Sequence, residues 1–197
     1  MSRLQPLSLD TIPELQELGG FYQDVFGFVP NGARIMAYRP EIILGFIHLR
    51  RAVMDPTSGT VPAELKSLIG HVASKAAGCR YCQAHTIYSA EGSETAAARV
   101  EAVWDYQTSD LFTPAERAAL DFALGAASVP NGVTDEQFAA LRQYWDDGQV
   151  VEILAVVALY GFLNRWNDSL ATPLEEPSRE VAERLLGPSG WEPGKHA

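Results

Sequence analysis

Apolar positions recur along this chain at intervals of three and four residues, and no segment alternates at every second residue strongly enough to predict a strand. From Thr11 to Phe26, Ile12, Leu15, Leu18, Tyr22, Val25 and Phe26 mark one helical face. Gly19-Gly20 weakens that helix by up to about 1 kcal/mol per glycine relative to alanine. Past the turn at Phe28–Gly32, a short helix is predicted over Ala33–Tyr38. Pro40 suits a first helical position, and Glu41–Met54 follows as a mostly apolar helix carrying His48. Pro62 opens another, with a stripe of Leu65, Leu68, Ile69, Val72 and Ala76 that ends at Gly78. Tyr81–Ala90 reads as helix to a stop at Glu91-Gly92, and Ser93 is a cap for Glu94–Trp104. Thr113…Glu116 and Thr134…Gln137 are capping boxes that open helices to about Ala127 and Tyr144. Gln149–Leu170, apolar on nearly every face over Val150–Leu163, must be wrapped by other helices or lie at a subunit interface. Pro173 ends it, and Ser178–Leu186 precedes a Gly/Pro-rich tail holding Trp191. Residues 1–9 read as an unstructured lead. The expectation is an all-α multi-helix bundle, with 197 residues suiting one domain or a tight pair of helical halves.

Composition narrows the setting. Hydrophobic residues make up 47%, ample for a core, and 15 basic against 25 acidic residues leave a net charge of −10. No basic patch stands out, which argues against a nucleic-acid partner. The apolar run Val150–Leu163 is broken by Glu152 and falls short of the ~20 residues a membrane span needs. The first residues lack the apolar core of a signal peptide, so a cytoplasmic location is expected.

Chemistry concentrates in Gly78-Cys79-Arg80-Tyr81-Cys82-Gln83-Ala84-His85, which holds both cysteines of the chain. In a reducing compartment such spacing points to chemistry or metal rather than a structural staple. A Cys-x-x-Cys at a helix start can close a disulfide across about one turn, and the helix dipole there favours thiolate. His85 lies three residues after Cys82, on the same helix face, and supplies the base that thiol chemistry requires. Glu64, Ser67, His71, Ser74, Lys75 and Gly78 form a strip on the preceding helix that faces the pair if the two helices pack together. Dithiol chemistry needs no cofactor and no metal. A Cys₂His₂ zinc set of Cys79, Cys82, His85 and His71 is the competing assignment, as in a metal- or redox-sensing protein. His48 and His196 read as structural, Glu152 as solvated near its helix start, and Arg80 and Tyr81 as exposed spacers. Asn164, Arg165, Trp166 and Asn167 suit hydrogen bonding at an interface or helix end.

The Cys79-x-x-Cys82-x-x-His85 motif, with the stretches Ala102–Tyr106, Leu111–Leu124 and Val151–Leu159, resembles the AhpD-like alkylhydroperoxidase branch of the carboxymuconolactone decarboxylase superfamily, in particular its peroxidase-related group. The resemblance spans most of residues 28–172. It implies an AhpD-like bundle that reduces hydroperoxides at the expense of a dithiol reductant of lipoyl or thioredoxin type, assembled as a homo-oligomer. It also implies that Cys82 attacks the peroxide and that Cys79 is the exposed partner exchanging with the reductant. The glutamate that anchors the family's proton relay, twelve residues before the first cysteine, is replaced here by Ser67. His71 and Glu64 are the candidate substitutes, His71 favoured because an ordinary imidazole titrates near neutrality. A decarboxylase of the wider superfamily generally lacks the cysteine pair, so both thiols weigh against that activity.

Overall fold

A computed structural model describes residues 2–57, 59–90 and 94–197. Among them are the helices α1 (Gln16–Phe26), α2 (Asn31–Met36), α3 (Pro40–Met54), α4 (Ala63–Ala76) and α5 (Arg80–Ala90), and then α6 (Glu94–Glu101), α7 (Pro114–Ala127), α8 (Asp135–Leu141), α9 (Asp147–Leu170) and α10 (Glu176–Leu185). Short 3-10 turns join some of them, and no strand occurs among the described residues. The all-α expectation holds. The predicted stop at Glu91-Gly92 and cap at Ser93 lie outside the described residues.

Local chemistry sets several boundaries. Thr113 and Thr134 accept the third helical N–H of α7 and α8, and Glu116 and Gln137 return the bond to the cap. Asp146 and Gln149 repeat this box, so α9 starts two residues before the predicted Gln149. At the end of α4, Gly78 takes the left-handed conformation (φ 71°) that glycine tolerates without penalty, and the chain turns directly into α5.

The centre of the bundle is α4, which packs against α5, α7 and α9, while α9 also meets α3 and α5. Leu65, Leu68, Ile69 and Val72 are buried as the stripe predicted, but Lys66, His71 and Ser74 are buried too, because α4 is enclosed on several sides. Gly70 lets α9 approach so closely that a Cβ there would collide with the Tyr160 ring. By length and composition alone α9 could cross a membrane, yet it lies among these helices with Val150, Ile153, Val156, Val157 and Leu159 buried.

Two expectations need correction. Glu152 is not simply solvated: it accepts the Thr60 N–H at 2.9 Å and the Val61 N–H at 3.1 Å, and pairs with the buried Lys66 at 3.2 Å. Lys66 needs that partner because a buried ammonium without one is strongly disfavoured. The lead is structured, with Leu9 buried and the Arg3 N–H bonded to the Leu170 carbonyl. The tail folds back as well. Trp191 is buried, His196 is 0% exposed, and the Leu174 N–H donates to the His196 carbonyl at 2.9 Å. Glycine and proline do not prevent docking when the backbone groups find partners on the body of the protein.

Candidate active site

The Gly78 turn places Cys79 immediately before α5 and Cys82 in its first turn. The Cys82 N–H points at Cys79 Sγ from 3.4 Å, so the first sulfur sits over the second residue's backbone. Both thiols are free. Cys79 is 0% exposed and Cys82 3%, which corrects the expectation that Cys79 is an exposed exchange partner. Burial, with Cys79 adding to it, pushes the Cys82 thiol well above its ordinary range, while the Asn167 amide, 3.7 Å from Sγ, opposes the shift. Desolvation therefore outweighs the helix-start effect, and Cys82 needs a base.

His85 is fixed by a carboxylate. Its Nε2 lies 2.6 Å from Oε2 of Glu175, the residue preceding α10. Burial works against the Glu175 charge, but the His85 imidazole and the Asn31 N–H outweigh it and hold the carboxyl below its usual range. An ionised carboxylate only accepts, so His85 Nε2 carries the proton and Nδ1 is left to receive one. Tyr81 donates to the other Glu175 oxygen at 2.9 Å and accepts the Gly32 N–H at 3.1 Å. Its ring, 3% exposed, stacks on His85 with centroids 4.4 Å apart, so Tyr81 is no exposed spacer. Burial, then the Glu175 charge, raise the Tyr81 pKa well above 10, which keeps it a phenol and a donor.

Cys82 and His85 line one cavity of about 110 Å³, whose walls include Tyr22, Phe26, Phe46, Tyr160 and Leu163. Asn167 also faces it, and its Oδ1 is buried without a hydrogen-bond partner among the described residues. Gly32 completes the wall where a Cβ would run into that amide. Arg50 brings a cation to the rim, its guanidinium 5.5 Å from the Phe26 ring centroid.

The other predicted relay residues stand elsewhere. His71 Nδ1 is 2.7 Å from Thr86 Oγ1, which in turn bonds the Cys82 and Gln83 carbonyls. Burial, with Lys75 adding, lowers its pKa to about 4, so it stays neutral near pH 7 and braces the α5 backbone. Glu64 is paired with Arg99 at 2.9 Å, and Ser67 bonds its own helix at Ala63. The zinc set of Cys79, Cys82, His85 and His71 is not assembled: among the described residues these four do not bring three donor atoms within 4.8 Å of one another. Donor atoms of Cys79, Asp168 and His196 do cluster within 4.8 Å of one another, but the Lys195 ammonium already sits 2.7 Å from Asp168. That cation takes the place an ion's charge would fill.

Glu175, Asn167, Asp168 and His196 were not singled out as site residues by sequence. The one available signal was the Asn-rich end of α9, read there as an interface or helix end.

The family model for the carboxymuconolactone decarboxylase family matches residues 40–125. Among solved structures, the chain is similar to the debrominase Bmp8, a Cys-to-Ala variant of which is known in complex with 2,3,4-tribromopyrrole. Identity is 32%, covering 92% of this chain and 96% of that one, with a TM-score of 0.84. It is also similar to a peroxidase-related protein with an alkylhydroperoxidase AhpD core from Ralstonia eutropha JMP134, at 26% identity over 90% and 94% of the two chains, TM-score 0.76. Protein YnjA of Escherichia coli (strain K12) is 24% identical over 138 residues, 70% of this chain and 72% of YnjA.

Proposed function

Since the chain belongs to the AhpD-like carboxymuconolactone decarboxylase superfamily, which includes enzymes, we propose that it is a thiol-dependent reductase of a small apolar electrophile, an organic hydroperoxide. The observation that carries this is the opening of Cys82 and His85 into one apolar cavity, with Cys79 one turn away and His85 seated on a buried carboxylate. His85 Nδ1 takes the Cys82 proton. The thiolate sulfur attacks the terminal peroxide oxygen, the O–O bond breaks, and the alkoxide leaves as alcohol with the proton from His85. Cys79 then attacks the resulting sulfenic acid, expelling water and closing the Cys79–Cys82 disulfide. A dithiol reductant of lipoyl or thioredoxin type restores both thiols by exchange. The unpartnered Asn167 Oδ1 accepts the hydroperoxide O–H and orients it.

The exposed apolar side chains of α9, Val151, Leu154 and Phe162, support self-association as a homo-oligomer, and a reducing cytoplasm suits the free thiols. A second activity is favoured by the end-to-end similarity to a debrominase: reductive removal of halogen from a small aromatic ring. In that chemistry Cys82 takes the halogen, the carbon keeps the bonding pair and gains a proton, and Cys79 displaces halide from sulfur. One experiment separates the two. Cumene hydroperoxide and a brominated pyrrole are offered in turn with dihydrolipoamide, following alcohol or bromide release. Consumption of the peroxide that disappears in Cys82→Ser supports the first; bromide release alone supports the second; neither sinks both.

A further inference from the structure

We propose that His196, held by Asp168, is the proton relay of Cys79, as His85 with Glu175 is that of Cys82; the proposal rests on the dithiol cycle above. His196 is wholly buried, although it is the penultimate residue of the chain. Its Nδ1 lies 2.7 Å from the Thr172 carbonyl, which can only accept, so Nδ1 carries a proton and Nε2 of the neutral ring bears the lone pair. Nε2 has no hydrogen-bond partner among the described residues. It lies 3.4 Å from Asp168 Oδ1, and a nitrogen of the same ring comes within 4.8 Å of Cys79 Sγ. A second proton on this ring would therefore face the Asp168 carboxylate, with the Cys79 sulfur close by.

The groups around the ring agree. Cys79 and Tyr81 face it from the dithiol segment, Asp168 from α9, and Lys195 from its own segment. Lys195 holds Asp168 Oδ2 at 2.7 Å and leaves Oδ1 toward the imidazole. The Tyr81 ring meets both imidazoles, 4.4 Å from His85 and 6.0 Å from His196 by centroids. Each thiol thus has a histidine and a carboxylate at hand.

The cycle uses the second pair twice. When Cys79 attacks the Cys82 sulfenic acid, its proton passes to His196 Nε2, the new S–S bond forms, the S–O bond breaks, and hydroxide leaves as water with a proton from solvent, which the reductant's thiol gives back when it ionises. In the return step an external thiolate attacks Cys82 Sγ through the cavity that Cys82 lines. The S–S bond breaks, its electron pair goes to Cys79, and His196 returns the proton. A second thiol of the reductant then frees Cys82. Exchange through Cys82 also fits the complete burial of Cys79.

The test is rapid mixing of full-length His196→Gln with one equivalent of cumene hydroperoxide, trapping sulfenic acid with a 1,3-diketone and following disulfide closure by mass. Cys82 oxidation is expected to keep its wild-type rate, while closure slows roughly 10²-fold and rises with pH as Cys79 ionises unaided. Asp168→Asn, which leaves the tail ring in place, should slow closure in the same direction. Closure at the wild-type rate in both variants across the pH range would overturn the relay. So would equal slowing of oxidation and closure, the mark of a merely structural role, or a stoichiometric zinc lost in His196→Gln. If the wild-type protein never oxidises at Cys82, the dithiol cycle itself fails, a result separate from any of these.

Discussion

Two regions divide the site unequally. The segment from α3 to α7 contains both thiols and His85, close together within about two turns at the start of α5. The segment from Asn167 to His196 contains no thiol, yet supplies the amide on Cys82, the carboxylate on His85, and the histidine–carboxylate pair beside Cys79. The thiols and His85 of the first region lie within the family-matched residues 40–125, the second region outside them. The two thiols and His85 reside in the matched core, and the groups that hold His85 and flank Cys79 come from residues 167–196. In the proposed mechanism Glu175, which reaches His85 from a different direction, stands in for the relay position that Ser67 occupies on α4.

The sharpest break in this division is removal of a thiol. Cys82→Ser should reduce turnover to background, and Cys79→Ser should leave a sulfenic acid that a 1,3-diketone captures at Cys82; retained turnover in the first would end the thiol assignment. A smaller effect tests whether the core histidine is structural. The His71 pKa is near 6.5 in the unfolded chain and lowered to about 4 in the fold, so the unfolded chain binds the extra proton first. Its contribution is therefore full above about pH 6.5 and fades as pH falls toward 4, a difference of roughly 3 kcal/mol. Urea unfolding of His71→Gln should lose this part of the acid sensitivity, and an unchanged pH slope would show that His71 is not buried as described. Smaller again is Gly32→Ala, where the added methyl meets Asn167; about 1–2 kcal/mol of destabilisation and a raised KM are expected. A wild-type KM would mean that Asn167 does not position substrate.

How legible this was follows the same line. Cys79, Cys82 and His85 are neighbours in sequence, and their spacing of three residues at the start of α5 makes them neighbours in space. The helices carrying them were legible for equally local reasons: the Thr113 and Thr134 boxes, the α4 stripe, and the Gly78 stop. Glu175 and His196 reach the dithiol only through tertiary folding, about ninety or more residues along the chain. No spacing rule links a pre-helix glutamate or a tail histidine to a distant motif. The α4 strip misled in the other direction. It does face neighbouring helices, but His71 meets Thr86 and Glu64 meets Arg99 rather than a sulfur. Periodicity shows which face is turned inward, and not which atom waits there.

The dependence of the core thiol on the distant carboxylate is tested most directly by the single-turnover oxidation rate of Cys82 in wild type and Glu175→Gln, measured against pH. Loss of the charge that orients and supports His85 predicts a fall of roughly 10²-fold near neutrality, recovering as pH rises and the thiol ionises without help. Oxidation at the wild-type rate and with the wild-type pH profile would contradict the account.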